Sequence, residues 1–484
     1  MGTTQSRTSS EREWKGPFSD EEYECLVAKY KAIAAGESVA AAQGQLQTML
    51  SLAQNEQLPA EWRDGLSTMG ASFYELCLYA REYNGSTVTG PALQLVDFVQ
   101  GVALVVRGSS QSIARGLFRL FLKDKKSVFL DELSVHQMLV ACLIMADERV
   151  AEHEPHHLVS MTRALADAAL PLAQPGQSRQ LSMDDFLRWT SAQMPLLYTV
   201  FTSWLSTRFF GDIARPAYTP PTLSHKSDIL SQYVGCFHLG RSWTYSPMIH
   251  RSQSIALSLT CTPLQGSVDR LYTNAQDGLS FNRLCHHILG YGGPTLVVIR
   301  DTDGGKRDIV PTPWNIFGMY CDTEWREATK FYGSNACFLF RLEPYFNIYR
   351  TSANDTANYM YLNTKGVALP RGIGMGGDTN SFRLFLNEDF DDSCYTTPKC
   401  LSFEPGRLTT RNQFSVEAVE VWGCGGVDST QRQREYRKDT AAMLDKMRKV
   451  DKAAFMGSEF DRNFLLSKTF GHGTDQARIV EDQS

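Results

Sequence analysis

The spacing of apolar residues changes near residue 215 and divides the chain into two halves. Between residues 18 and 214, apolar residues recur every three or four positions, which is the period of amphipathic helices. Beyond residue 223 they alternate with polar residues or form short runs, which is typical of strands. The proline-rich segment 215–222 suits neither a central strand nor a helix interior, so it predicts a linker. The pattern predicts an α+β, multidomain protein.

Local signals mark where some of these elements begin. Ser19 and Glu22 form a capping box before a helix, and Ser182 with Asp185 repeats the pattern. We therefore predict a helical domain over residues 18–214, with the helix–loop–helix rhythm of EF-hands. In the second half, a helix is predicted at 279–289, and strands are predicted at 254–259, 295–299, 336–340 and 382–386. Many short strands with glycine-rich turns predict packed antiparallel sheets over residues 223–426.

The chain returns to a helical pattern at residues 427–457. Asp428-Ser429 predicts an N-cap and Gly457 a C-terminal stop. Between Ser429 and Gly457, eight basic and four acidic residues give this amphipathic helix a net charge of +4. We predict that it binds a partner, because a narrow apolar face flanked by basic residues suits an acidic groove. The candidate contact residues are Tyr436, Arg437, Met443, Met447, Arg448 and Val450. The alternative is a terminal helix that packs on its own domain.

Composition excludes some classes of protein. The 484 residues carry a net charge of -5, which does not indicate nucleic-acid binding. The 11 cysteines show no paired spacing, and no signal peptide is evident, so we expect a reduced cytosolic protein. No apolar run is long enough to span a bilayer.

The N-terminal residues Met1-Gly2-Thr3-Thr4-Gln5-Ser6 fit the pattern for N-myristoylation. We predict that Gly2 carries the acyl chain on a flexible segment, residues 1–17. One such chain binds membranes weakly, and the first twenty residues contain neither a cysteine nor a polybasic patch. A protein partner is therefore the expected second attachment. Residues 458–484 are predicted to be a flexible tail.

The candidate chemical motifs are weak. Calcium loops tested from Glu82 and from Asp124 lack the required acidic twelfth residue. The run Gly372–Gly377 matches a dinucleotide motif, but a strand is predicted after it instead of a helix, so we interpret it as a turn. The histidines at 153–157 surround Pro155 and are interpreted as a solvated loop. No nucleophile elbow is present, and we predict no catalytic residue, metal or cofactor.

A series of short blocks resembles the TLDc domain family over roughly 200 residues. The blocks are Leu271-Tyr272, Asp277-Gly278-Leu279, Ile316-Phe317-Gly318, Phe331-Tyr332-Gly333, Cys337-Phe338-Leu339-Phe340 and the strand 416–423. The resemblance implies a β-sandwich with flanking helices. It is greatest to a branch that acts in MTOR signalling at lysosomes. It also implies binding to subunits of the vacuolar proton-pumping ATPase, with the protein on the cytosolic face of lysosomal membranes and in the cytoplasm. The implied role is that of a non-enzymatic adaptor. The alternative is an oxidation-protective protein or enzyme that uses a TLDc cysteine.

Overall fold

The computed structural model describes most of the helical half and most of the β-rich half. The described residues are 16–35, 38–83, 92–124, 127–172, 178–211, 243, 246–302, 314–353, 357–365 and 368–457. The predicted linker 215–222 and the tail 458–484 lie outside them, as does the N-terminal segment up to residue 15.

The helical half is built from short helices that share one apolar core. They are α1 (Asp20–Ala34), α2 (Val39–Met49), α3 (Ala60–Ser67), α4 (Met69–Tyr83), α5 (Leu95–Val106), α6 (Ser110–Leu120), α7 (Glu132–Ala146), α8 (Arg149–His153), α9 (Pro155–Ala169), α10 (Met183–Gln193) and α11 (Leu197–Phe210). Ser19 Oγ accepts the Glu22 N–H at 3.2 Å, and the Glu22 carboxylate accepts the Ser19 N–H at 3.0 Å. The predicted capping box is therefore confirmed.

Two helix–loop–helix units lie side by side in this half. β1 (Phe129–Asp131) joins α6 to α7, and β2 (Gln180–Ser182) joins α9 to α10. The two strands pair antiparallel, with Leu130 opposite Leu181. Two helix–loop–helix units joined by a short strand pair are the arrangement of an EF-hand pair, which confirms the EF-hand-like prediction.

The β-rich half is a sandwich of two antiparallel sheets. Its strands are β3 (Asp269–Thr273), β4 (Thr295–Asp301), β5 (Ile316–Cys321), β6 (Phe338–Glu343), β7 (Asn347–Arg350), β8 (Met360–Asn363), β9 (Gly372–Asp378), β10 (Ser381–Asn387), β11 (Cys394–Thr396), β12 (Gln413–Phe414) and β13 (Val416–Gly423). One sheet has the order β3-β13-β4-β5-β6-β7 and the other β12-β11-β10-β9-β8. The helices are α12 (Arg251–Ser258), α13 (Asn274–Asp277), α14 (Phe281–Ile288) and α15 (Gly426–Gly457).

Both faces of the six-stranded sheet are buried. Along β4, Val297 and Ile299 point to the second sheet, whereas Leu296 and Val298 join the core of the helical half. This alternation follows from the two-residue period of a strand. One continuous apolar core therefore connects the helical half to the sheet.

One strand prediction was wrong. Residues 254–259 form most of α12, which packs against α7 and α9, and Gln253 of this helix donates to the Glu343 carboxylate of β6 at 2.7 Å. Every residue from Ser252 to Ser258 is buried. Helices and the sheet cover α12 on all sides. Its sequence therefore lacks the solvent-facing polar stripe by which an amphipathic helix is recognised.

Candidate functional site

The first turns of α15 lie against the loop that follows α14. Ser429, Gln433 and Tyr436 are four and three residues apart, so they share one face of the helix. Ser429 and Gln433 are buried, and Gln433 Nε2 donates to the backbone carbonyl of His287 at 2.6 Å. This buried hydrogen bond fixes the direction in which α15 leaves the domain.

Glycines in this loop allow the close approach. A Cβ atom at Gly290 would lie 2.3 Å from the Tyr436 ring, and one at Gly293 would lie 2.4 Å from Ser429 Oγ. Gly290 also has a φ of +79°, a backbone conformation that favours glycine. A side chain at either position would displace the helix. We call residues 290–293 the glycine shelf.

Beyond the glycine shelf, α15 extends away from the domain. Arg437 is half-buried, and the side chains described from Lys438 to Lys446 are exposed. Met443 is 59% exposed. The segment of the helix from Arg437 to its end is about 30 Å long, at a rise of 1.5 Å per residue. The root of α15 is thus attached, whereas the described part of its distal half presents its side chains to solvent.

The predicted contact residues divide between these two regions. Tyr436 is 45% exposed yet touches Gly290, so the first turns of α15 pack on their own domain. Arg437 lies near His286, whose pKa is lowered by burial and by the Arg437 charge. The side chains of Met447, Arg448 and Val450 lie outside the part of the structure described. Partner binding by the distal half stays a prediction.

Sequence reasoning missed Ser429 and Gln433 because both are polar. The spacing of seven residues from Ser429 to Tyr436 places both on one face of a helix, and this spacing could have indicated the contact. The predicted N-cap at Asp428-Ser429 is also displaced, because the helix begins at Gly426. Ser429 Oγ donates to the Gly425 carbonyl at 3.0 Å from inside the first turns.

The EF-hand-like loops hold an ion pair where a calcium site would be sought. Lys123 Nζ lies 2.7 Å from Asp131 Oδ2, so an ammonium group neutralises this carboxylate. Calcium sites need several carboxylate and carbonyl oxygens around one point. No group of three metal-binding side chains converges in the described residues.

The histidines at 153–157 mark a junction between the two halves. Pro155 begins α9, and the His157 ring stacks on the ring of His250 with centroids 3.3 Å apart and planes at 18°. His250 precedes α12 in the β-rich half. In the described part of the chain, this pair belongs to no group of three side chains that could hold a metal ion. The prediction of a solvated loop was wrong for His157, which is half-buried.

The glycine run at 372–377 forms strand β9, so its interpretation as a turn was wrong. A Cβ atom at Gly374 would lie 2.5 Å from the Phe382 ring, and one at Gly372 would lie 2.9 Å from the Phe385 ring. The glycines therefore make room for aromatic rings of β10. A dinucleotide fingerprint requires a strand-to-helix turn, and this run is a strand followed by another strand.

Most thiols described in the β-rich half are poorly placed for nucleophilic chemistry. Burial raises the pKa of Cys285 and of Cys394 to about 12. Burial likewise raises the pKa values of Cys321, Cys337 and Cys424 above the usual range. The thiolate is the reactive form, so these groups are inert at neutral pH. Cys400 differs, because it is half-buried on a loop.

The remaining predicted site, Gly2, lies outside the described residues. Among the helices that the structure describes, none combines the length and apolarity needed to cross a bilayer.

Residues 248–425 match the model of the TLDc domain. This confirms the family resemblance, since the matched region covers both sheets and ends where α15 begins. Residues 248–425 are therefore identified as a TLDc domain, which follows an EF-hand-like helical half.

Among curated proteins, the chain is similar to the MTOR-associated protein MEAK7. The Xenopus laevis protein is 34% identical over 159 residues, and the Homo sapiens protein is 33% identical over 157 residues. Each match covers 32% of this chain and 32% of the relative, so it spans about a third of either protein. Oxidation resistance protein 1 of Xenopus laevis is more distant, at 27% identity over 153 residues, 31% of this chain and 16% of the relative.

Proposed function

We propose that this chain is a membrane-tethered, non-enzymatic regulator in MTOR signalling at lysosomes, and that it binds the vacuolar proton-pumping ATPase through α15. The similarity to proteins named as MTOR-associated supports the signalling assignment. The similarity spans about a third of each protein, so the activity of the whole protein is part of the proposal.

The observation that carries the proposal is the attachment of α15 at its root, together with the exposure of the side chains described beyond it. Gln433 and the glycine shelf fix its root, whereas Met443 and its described neighbours are exposed. An exposed methionine on a helix with basic residues suits an adaptable contact with an acidic groove. Such a helix can enter a cleft between two subunits of a large assembly without displacing the domain that holds it.

Attachment to the membrane is proposed to use two contacts. An acyl chain on Gly2 alone gives reversible binding. The contact between α15 and its partner supplies the second attachment. Loss of either contact is expected to release the protein into the cytoplasm.

The proposal that the protein is no enzyme is supported by the chemistry of the described side chains. The buried thiols of Cys337 and Cys394 have raised pKa values, and the rings of His157 and His250 stack on each other. Aromatic rings of the neighbouring strand pack on the glycine run of β9.

The test is capture of vacuolar ATPase subunits from lysosomal membranes by the purified full-length protein. Truncation after Arg437 keeps the docked turns and removes the distal half of α15. We expect this variant to fold, with an unchanged melting temperature, and to lose the subunits. Capture equal to that of the full-length chain would refute the role of α15.

A matched pair of substitutions tests the face of the helix. Met443→Asp places a charge on the proposed contact face, and Ala441→Asp places the same charge two residues away on the opposite side; both positions are exposed. We expect Met443→Asp to reduce capture at least tenfold and Ala441→Asp to change it less than twofold. Gly2→Ala tests the acyl contact by fractionation, with loss from membranes as the expected result.

A further inference from the structure

A cavity of about 350 Å³ lies between the two helix–loop–helix units of the helical half. α6 forms one wall with Ala114 and Leu117, and α10 forms the other with Phe186 and Leu187. The turn between α10 and α11 adds residues 194–198 to the lining. The volume is that of a pocket for a small ligand.

The lining of this cavity is mostly apolar and carries no charge. Among the described residues that line it, none is acidic, basic or a histidine, whereas a second, larger cavity of the helical half is lined by six charged side chains. The hydroxyls of Thr190 and Ser191 on the α10 wall both donate to the Leu187 carbonyl, at 3.1 and 2.7 Å. Ser110 and Gln111 are exposed to solvent. The cavity therefore offers apolar contact to a ligand and little polar recognition, which suits an aliphatic chain.

The N-terminal end of the described chain lies within reach of this cavity. Phe18 packs on Phe210 at the end of α11, with ring centroids 5.6 Å apart, and Leu197 at the start of α11 lines the cavity. These two ends of α11 are about 20 Å apart at 1.5 Å per residue. The chain from Gly2 to Gly16 spans up to about 46 Å when extended, at 3.3 Å per residue. A group on Gly2 can therefore enter the cavity.

We propose that the cavity between α6 and α10 is a binding site for the saturated acyl chain on Gly2, which alternates between this cavity and a membrane. The inference rests on the acylation of Gly2 in the proposed function, and it is independent of the contact between α15 and the ATPase. A single acyl chain holds a membrane weakly, so a site on the same molecule can compete with the bilayer. The tether favours this competition, because it keeps the acyl chain at a high effective concentration near the cavity.

The consequence is a membrane attachment that the protein itself controls. When the acyl chain occupies the cavity, the protein is held off the membrane. When the acyl chain leaves, it becomes available to the bilayer. A partner that narrows the cavity between α6 and α10 would therefore promote attachment without touching the N-terminus.

The first test uses a synthetic peptide of residues 2–15 with a myristoyl group on Gly2, titrated by calorimetry into the full-length Gly2→Ala protein. We expect it to bind at least tenfold more tightly than the same peptide without the acyl group. Leu187→Asp places a carboxylate in the lining and should weaken binding at least tenfold. Leu172→Asp makes the same change at a fully exposed position outside the lining and should change binding less than twofold.

Equal affinities of the two peptides would overturn the proposal, because they would show a groove for polypeptide instead of an acyl site. Unchanged binding to a folded Leu187→Asp variant would also overturn it. If Leu187→Asp does not fold, Ser191→Asp decides the matter, since Ser191 is exposed and lines the same cavity. It should weaken binding at least fivefold, whereas Ser160→Asp, on an exposed position of α9 outside the lining, should change it less than twofold.

The second test measures binding of the acylated full-length protein to phosphatidylcholine vesicles. The protein is incubated with an N-myristoyltransferase and myristoyl-CoA, and its intact mass reports the modification. We expect the acylated Leu187→Asp variant to bind vesicles at least threefold more than the acylated wild type, because its acyl chain is released. Equal binding would refute the cavity as the acyl site and leave the membrane tether in place. An intact mass without the acyl group would instead refute the tether of the proposed function.

Discussion

The side-chain amide of Gln193 pairs with both backbone polar groups of Ile348. The Ile348 N–H donates to Gln193 Oε1 at 2.6 Å, and Gln193 Nε2 donates to the Ile348 carbonyl at 3.0 Å. Gln193 ends α10 in the helical half, and Ile348 lies on β7 at the edge of the six-stranded sheet. One amide therefore replaces a missing neighbour strand and joins the two halves.

Removal of this amide should lower the free energy of unfolding. Gln193→Ala leaves the N–H and carbonyl of Ile348 without partners in a part-buried position, which costs about 2 kcal/mol. Chemical denaturation of the full-length protein measures the change. Ser191→Ala, two residues earlier on an exposed position of α10, is the control and should stay within about 0.5 kcal/mol. Equal changes for the two variants would contradict the role of Gln193.

Addition of a methyl group to the glycine shelf should lift the root of α15. Gly290→Ala places a carbon 2.3 Å from the Tyr436 ring. We expect amide hydrogen exchange at residues 429–437 to accelerate at least tenfold while exchange in the sheets is unchanged. Gly44→Ala is the control, because nothing lies within 4 Å of that position in α2, and it should stabilise the protein by about 1 kcal/mol. Unchanged exchange at residues 429–437 would show that the glycine is dispensable.

The junction of the two halves should weaken in acid. Burial and the neighbouring His157 lower the pKa of His250 from 6.5 to about 4. The unfolded chain therefore binds a proton that the folded chain does not, so stability falls as the pH drops from 6.5 to 4, by at most about 1.4 kcal/mol per pH unit. Denaturation at several pH values measures this slope. His250→Gln should be less stable at pH 7, and its deficit should shrink toward pH 4; a constant deficit would refute the assignment.

Features that depend on neighbours in sequence could be predicted. The capping box of Ser19 and Glu22 spans three residues, and the structure contains it as predicted. The alternation along β4 likewise follows from a local period, although it does not reveal that helices cover one face. The β-sandwich was predicted from the resemblance to the TLDc family, because periodicity alone does not specify how the sheets pack.

Features that depend on distant contacts could not be predicted. Residues 254–259 alternate small and large side chains, yet most of them belong to a helix that the helical half and the sheet enclose from all sides. The root of α15 depends on Gln433 and His287, which are 146 residues apart in sequence. In the sequence, the glycine run of β9 matches a phosphate-binding motif. Only the structure shows that the rings of Phe382 and Phe385 pack on these glycines.

Because α15 is attached at its root, a small tilt there is amplified at its far end. The helix would pivot at the contact between Tyr436 and Gly290, and the part of the helix beyond this contact is about 30 Å long at 1.5 Å per residue. A tilt of about 10° at this contact therefore moves the end of the helix by about 5 Å, which is close to the rise of one helical turn. The absence of side chains at Gly290, Gly292 and Gly293 thus decides where the far end of the helix can reach.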